Sequence, residues 1–466
     1  MLFSSVPFLF YFLPAVMVCY FIVPDQWKNA VLLMFSLLFY AWGEPGYVFL
    51  MIFSIVISYV FGLLIEKYRD RKAGKFLLTA AIVIHVGLLG YFKYADFFIR
   101  NLNTAAGTSV PLLRIALPIG ISFYTFQILS YVIDVYRGNA RARRNMVDFG
   151  TYVALFPQLI AGPIVRYTDI DGELTIRKHS FEAAAEGVER FVVGLGKKVL
   201  ISNAFGQLCS IFRASGEKSV LFYWVYAIAF TLQIYFDFSG YSDMAIGLGR
   251  IFGFHFSENF DYPYISKSVT EFWRRWHMSL GAWFRDYVYI PLGGNRVGKL
   301  RWFFNIFVVW MLTGFWHGAG WQFIVWGLMY AVLLIAEKLF LKKMLEHLPA
   351  IVRYIYVMFF VVTGFVIFNA EGMGSAVSDL AAMFGAGGLS FITGETIYYV
   401  RSYAVIFVMG IFGATPFLKK ISEKLRRGKM EKVFAALYPL LLCGIIILVT
   451  AYLVDGSFNP FLYFRF

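Results

Sequence analysis

Trp310-Met311-Leu312-Thr313-Gly314-Phe315-Trp316-His317-Gly318-Ala319-Gly320-Trp321 places one histidine, hemmed in by tryptophans and glycines, inside a stretch that reads as membrane-buried. An ionisable side chain at that depth costs roughly 2.5–3.5 kcal/mol on insertion scales, so it asks for a functional reason. Working outward, one apolar arm covers about 302–316 and a second about 321–340, joined only by His317-Gly318-Ala319-Gly320. The first arm makes about 22 Å of helix at about 1.5 Å per residue, against a hydrocarbon core about 30 Å thick. An arm that starts at the cytoplasmic interface after Arg301 stops short of the far surface, so His317 is expected at the floor of a recess open to the outside.

The rest of the chain agrees with a membrane setting. Of its 466 residues, 60% are hydrophobic, 20% aromatic and 15% charged, and the mean hydropathy is +0.67. Repeated apolar runs of about 18 or more residues read as transmembrane helices, which makes the fold an all-α polytopic membrane protein. No long hydrophilic stretch separates a soluble domain, so residues 1–466 are expected to form a single integral-membrane unit. Lys+Arg exceed Asp+Glu by 42 − 28 = 14. The basic residues cluster in short loops between apolar runs, where the positive-inside rule accounts for them, and no nucleic-acid partner is expected. Cys19, Cys209 and Cys443 lie far apart in apolar runs without CxxC spacing and read as buried thiols.

In chain order, apolar runs cover about 5–23, 28–42, 46–65, 76–92 and 117–133, with a mixed segment at 93–116. The start, Met1-Leu2-Phe3-Ser4-Ser5-Val6-Pro7, lacks a basic n-region and a cleavage site and reads as a retained first helix. Lys67, Arg69, Arg71, Lys72 and Lys75 mark one cytoplasmic loop, and Arg137, Arg141, Arg143 and Arg144 the next. An odd number of crossings before each puts the N-terminus outside. The run at 148–165 is broken by Pro157 and Gly162-Pro163 and reads as kinked or re-entrant. Segment 168–190, with Glu182, Glu186, Glu189 and Arg190, reads as a surface helix. Runs at about 191–212 and 218–238 follow, and then a polar and aromatic block at 262–301, too mixed to span and read as interfacial or re-entrant. Beyond the two arms, runs at about 351–370, 397–417 and 434–454 complete the chain. The cluster Lys419, Lys420, Lys424, Arg426, Arg427, Lys429 and Lys432 lies before the last run and puts the tail from Asp455 to Phe466 outside. The expectation is about eleven to twelve spans.

Two histidines invite chemistry. His317 is a candidate general base or transient acyl acceptor, with a hydrogen-bonded strut between helices as the plainer role. The glycines beside it would admit a close-lying substrate. His277 stands 317 − 277 = 40 residues earlier. On one continuous helix it would share a face with Trp273, Leu280 and Phe284, and a half-buried interfacial histidine is the plainer reading. Arg274, Arg275, Arg285 and Arg296 would grip the phosphates of a nucleotide-bearing donor, or simply anchor a cytoplasmic loop. Asp237 and Asp243 fall at a membrane boundary, where either would orient a histidine, and Asp243 would otherwise cap a helix near Ser239-Gly240. His85, His179, His255 and His347 lie outside any such constellation. The chain contains no GxxxxGK[ST], GxSxG or HExxH, and no metal is expected.

Asp237-Phe238-Ser239-Gly240-Tyr241-Ser242-Asp243-Met244-Ala245-Ile246-Gly247, Glu271-Phe272-Trp273-Arg274-Arg275-Trp276-His277 and Trp283-Phe284-Arg285-Asp286-Tyr287 resemble the membrane-bound O-acyltransferase (MBOAT) family. Tyr289-Ile290-Pro291-Leu292-Gly293-Gly294-Asn295-Arg296 and Phe315-Trp316-His317-Gly318-Ala319 look like its bacterial alginate O-acetyltransferase branch. So do Phe156-Pro157-Gln158-Leu159-Ile160-Ala161-Gly162-Pro163-Ile164 and the ending Asn459-Pro460-Phe461-Leu462-Tyr463-Phe464-Arg465-Phe466. The resemblance covers nearly the whole chain and is densest over 150–330. It implies transmembrane, re-entrant and interfacial helices around a central tunnel, a cytoplasmic acetyl-CoA donor, and His317 and His277 as the catalytic pair. Trp273, Arg275, Trp276, Arg285, Asp286, Asn295, Arg296, Trp316 and Asp237 become candidate substrate-binding residues. The resemblance further implies a bacterial plasma-membrane enzyme and an extracytoplasmic esterase-like (SGNH-type) partner. The acceptor would be an exported polysaccharide hydroxyl. A sister branch transferring D-alanine from a carrier protein to teichoic acid is the alternative, as is a non-enzymatic exporter whose histidines couple protons. Acetyl transfer would have His317 take the hydroxyl proton or hold the acetyl group briefly, and either task needs a neutral imidazole.

Overall fold

Away from water a backbone must pair its own N–H and C=O groups, and these apolar runs do so as helices. The computed structural model describes residues 1–160, 162–428, 430–456, 458–460 and 462. Ala161 of the Pro157-Gly162 break, Lys429 of the basic cluster, and Ser457, Phe461 and Tyr463 to Phe466 of the tail lie outside the described residues. Among those described, the only strand-like pairing is an antiparallel bridge between Phe260 and Trp276.

Among the described residues, six helices are long and apolar enough to cross a membrane: Val48–Tyr68, Lys72–Ala106, Val220–Ile251, Trp321–Glu346, Ala350–Asn369 and Glu431–Val454. A seventh span results if Gly394–Ser402 and Ala404–Gly413, bent by 54°, count as one. The other runs behind the expected eleven to twelve form shorter or more charged helices. Lys28–Gly43 has 16 residues and Ile121–Arg137 has 17, while Lys299–His317 opens with Lys299 and Arg301. The run at 148–165 is broken as expected, into Met146–Ala154 and Phe156–Leu159, with Leu155 between them out of helical conformation.

The chain divides into two compact units, Met1–Phe191 with Ser242–Ser257, and Val192–Tyr241 with Glu258–Phe466. In the first, Phe3, Phe8, Phe39 and Phe156 form an aromatic core, Phe8 lying 5.9 Å from Phe39 and 6.2 Å from Phe156. The minor histidines of this unit have structural partners: His85 meets Ser58 at 2.8 Å, His179 meets Tyr20 at 2.9 Å, and His255 meets Glu173 at 2.6 Å. Asp243 does not cap a helix. Helix Val220–Ile251 continues unbroken through Ser239-Gly240, and Asp243 pairs instead with Arg190 at 2.9 Å.

The second unit holds both candidate histidines. The helices that frame them are α1 (Val220–Ile251, up to Tyr241), α2 (Val269–Arg275), α3 (Met278–Phe284), α4 (Lys299–His317), α5 (Trp321–Ala336) and α6 (Ala350–Asn369). Helices α4 and α5 form a tight hairpin because glycine removes side-chain bulk where they touch. A Cβ at Gly314 would run into the Phe323 carbonyl, and one at Gly327 into the Trp310 carbonyl. The space beside Gly318 is filled by the Phe323 ring. That corrects the expectation of a substrate lying against these glycines: they admit the partner helix.

Residues 271–284 do not form one continuous helix. Helix α2 ends at Arg275, α3 starts at Met278, and His277 between them has φ 46° and ψ 53°. The interruption is made by tertiary pairing: Asp261 N–H donates to the Arg275 carbonyl at 2.9 Å, and Met278 N–H to the Asn259 carbonyl at 3.0 Å. Cys209 is buried as expected, whereas Cys19 is half-buried and Cys443 is exposed. Cys443 lies on Glu431–Val454, whose apolar surface is turned almost wholly outward, as befits a helix facing lipid.

Candidate active site

His317 is the last residue of α4, delivered to the tip of the hairpin by the glycine seam. Aromatic rings surround it edge to face. Trp326 of α5 lies at 5.2 Å and 87°, Phe368 of α6 at 5.1 Å and 81°, and the neighbouring Trp316 at 5.0 Å and 75°. Such pairs contribute about 0.5–1.5 kcal/mol each beyond their buried area, so the imidazole is held in position by packing.

His277 is 3% exposed and reaches the same region from the α2–α3 junction. Phe238 of α1 packs against it at 4.7 Å and 90°, and Trp316 at 6.0 Å and 62°. Its Nδ1 lies 3.2 Å from Asn259 Oδ1. His277 is outside every candidate span, and burial pushes it down to about 3, which keeps it neutral at ordinary pH.

Both histidines line one cavity of about 250 Å³, together with Trp273, Trp276, Phe284, Arg285, Tyr289, Trp310 and Thr313. The lining is mostly apolar, with the two imidazoles among its few polar groups. A second, smaller space of about 20 Å³ adjoins His317 and is bounded by Asp237, Phe238, Trp276, Trp326, Phe368 and Leu462. His317 therefore forms part of the wall of both spaces. Chemically, this arrangement offers two nitrogen bases to a small group held in an apolar chamber.

The remaining sequence candidates divide. Trp273, Trp276 and Arg285 line the larger cavity with both histidines, and Trp316 touches both imidazoles. Arg285 is largely exposed and bonded to Asp286 at 2.7 Å, a hydrogen bond that raises the guanidinium above its ordinary value. Arg275 is engaged by Asp261 at 2.8 Å and Glu271 at 3.1 Å, and is not among the cavity-lining residues. Asn295 and Arg296 are exposed, and Arg274 is exposed on α2. Asp237, expected to orient a histidine, is engaged by other partners. It forms a buried ion pair with Lys198 at 2.6 Å and accepts the Leu462 N–H at 3.0 Å.

Sequence reasoning overlooked Glu337, Asn259 and Lys198. Glu337 is 1% exposed and accepts from Val269 N–H at 2.6 Å, Thr270 N–H at 2.8 Å and Thr270 Oγ1 at 2.6 Å, fixing the start of α2. The signal was present: a carboxylate at the end of the apolar run 321–340 asks for a reason just as His317 does. Lys198, inside the run at 191–212, carried the same signal.

The family model for MBOAT, membrane-bound O-acyltransferase family, matches residues 139–373, which include every residue of the larger cavity. A probable alginate O-acetylase of Azotobacter vinelandii is 44% identical over 83% of this chain and 79% of its own length. A peptidoglycan O-acetyltransferase of Helicobacter pylori is 34% identical over 84% of this chain and 81% of its own. At greater distance, a teichoic acid D-alanyltransferase of Bacillus subtilis is 30% identical over 54% of this chain and 69% of its own.

Proposed function

We propose, because the chain belongs to the membrane-bound O-acyltransferase family, that it moves an acetyl group from acetyl-coenzyme A to a hydroxyl of an exported polysaccharide, with His317 and His277 carrying the transfer. It is a multi-pass membrane O-acyltransferase related to probable alginate O-acetylases and to a peptidoglycan O-acetyltransferase. The observation that carries the proposal is the apolar cavity lined by both imidazoles.

A space of about 250 Å³ takes an acetyl thioester and the arm next to it but not a nucleotide, which stays outside. Arg285, exposed and cavity-lining, is the cation best placed to meet the donor's phosphates, with Arg274, Arg275 and Arg296 as further candidates. The acceptor oxygen attacks the thioester carbon and its proton passes to the His317 imidazole. A C–O bond forms, the C–S bond breaks, and the thiolate leaves and recovers that proton. Trp273, Trp276 and Trp316 exclude water, which would otherwise compete as acceptor.

A coenzyme A thioester cannot cross a bilayer while polymer hydroxyls lie beyond it, so we place the donor on the cytoplasmic side and the acceptor outside. The same reading puts the enzyme in the bacterial plasma membrane with both termini extracytoplasmic, and an esterase-like partner protein completes transfer to the polymer.

His317→Ala tests the proposal at matched expression and membrane insertion. We expect base-labile acetate on the cell's exopolysaccharide to fall to background, and thiol release from acetyl-coenzyme A by membranes to fall with it. Both unchanged would sink the reading. D-alanine in place of acetate among the released groups would move the chain to the D-alanyl branch.

A further inference from the structure

A neutral imidazole carries its proton on one nitrogen and a lone pair on the other, and only the latter accepts a proton. Which nitrogen of His277 plays which part follows from its neighbour. The side-chain oxygen of Asn259 receives the Ser279 backbone N–H at 3.2 Å and the Ser279 hydroxyl at 2.9 Å. A backbone N–H only donates, so the amide atom it meets is the oxygen and not the nitrogen. His277 Nδ1 lies 3.2 Å from that same oxygen, which only accepts. The bond exists only if Nδ1 carries the hydrogen.

We infer that Asn259 is a positioning residue of the acyl-transfer site: it locks His277 as the Nδ1–H tautomer and puts the lone pair on Nε2. The inference rests on the catalytic reading of His277. It makes His277 a proton acceptor at Nε2 while neutral, and excludes it from donating there to the carbonyl oxygen of the acyl group.

Three further features keep the ring in this state. Asn259 is 1% exposed, so water does not compete for its oxygen. Its own carbonyl takes the Met278 N–H at 3.0 Å, so one residue grips the imidazole and also the backbone turn that presents it. Rotating the ring by half a turn would replace Nδ1 with carbon and lose the bond, while Phe238, perpendicular at 4.7 Å, fixes the plane of the ring. The backbone cooperates: His277 occupies the left-handed region at φ 46°, a conformation that persists only where surrounding bonds over-determine it.

The test is nitrogen NMR on the full-length chain in detergent with ¹⁵N-histidine. The chain has six histidines, so the His277 signals are those missing in His277→Gln. In the wild-type protein we expect Nδ1 to be protonated and Nε2 to be the bare nitrogen. Asn259→Ala should release the preference, while Asn259→Asp, which keeps an accepting oxygen, should retain Nδ1–H. Kinetically, Asn259→Ala should lower kcat about 10-fold or more with little change in KM for acetyl-coenzyme A. In a His277→Ala background it should cost nothing further, since it acts through a ring no longer present. Nε2–H in the wild-type protein, or losses that simply add in the double variant, would overturn the inference. A fully active His277→Ala would instead overturn the catalytic reading beneath it, and the tautomer measurement would stay separately readable.

Discussion

Glu337 is almost completely buried and needs no cation, because its two oxygens are occupied by the first two N–H groups of α2, the Thr270 hydroxyl and the Tyr356 hydroxyl. Glu337→Ala strands those donors, each at about 1–3 kcal/mol. We expect a clear loss of melting temperature in detergent and, because α2 leads into His277, a drop in kcat. Glu337→Gln keeps one accepting oxygen and should lie between. The ion pair Lys198–Asp237 makes the opposite demand, since each charge there is tolerable only with the other. Lys198→Met should destabilise by about 3–5 kcal/mol, and the double variant Lys198→Met/Asp237→Leu by less than that single change. His277 adds a pH term. Its folded value of about 3 lies below the roughly 6.5 of an exposed histidine, so the unfolded chain takes up the proton first. Its contribution is intact above about pH 6.5 and is lost as pH falls toward 3. Melting between pH 7 and 5 should therefore become easier with acid, and His277→Asn should flatten that slope by up to about 1.4 kcal/mol per pH unit. At this scale the sequence displays costs but hides partners. A buried histidine is legible from its surroundings, whereas Asn259 reads as a loop residue until the chain folds back 18 positions to meet it.

The α4–α5 hairpin is where helix packing sets the geometry of the proposed site. Backbone touches backbone at Gly314 and Gly327, so main-chain contacts place the end of α4, and the surrounding rings then hold the His317 imidazole. Gly327→Ala should pry the helices apart, cost about 1–3 kcal/mol or more, and reduce kcat although residue 327 does not line the cavity. Activity equal to wild type at full stability would show that the seam does not set the histidine. The hairpin was legible from two apolar arms around a short glycine-rich link. The break at His277 was not. Periodicity alone put Trp273, His277, Leu280 and Phe284 on one helical face, and pairing of 259–261 with 275–278 interrupts that helix. The four residues nevertheless line one cavity, because the two short helices turn their apolar sides to the same space.

For the molecule as a whole, membrane residence and an all-helical fold followed directly from hydropathy, and the family from long motifs around Asp237, His277 and His317. The span count was less legible, since hydropathy registers apolar runs while crossing also needs length, and several runs are helices of 17 residues or fewer. The Glu337 clamp also has a consequence in time. Val269 leaves the ribosome 68 residues before the carboxylate that receives its N–H. At roughly 5–20 residues per second the His277 block waits some seconds for its anchor. Chains arrested just short of Glu337 should leave residues 262–289 open to protease in isolated membranes, and chains arrested well beyond Glu346 should protect them. The part of the protein that houses His277 would then be completed by a residue made after it, so that no competent site exists on a half-made chain.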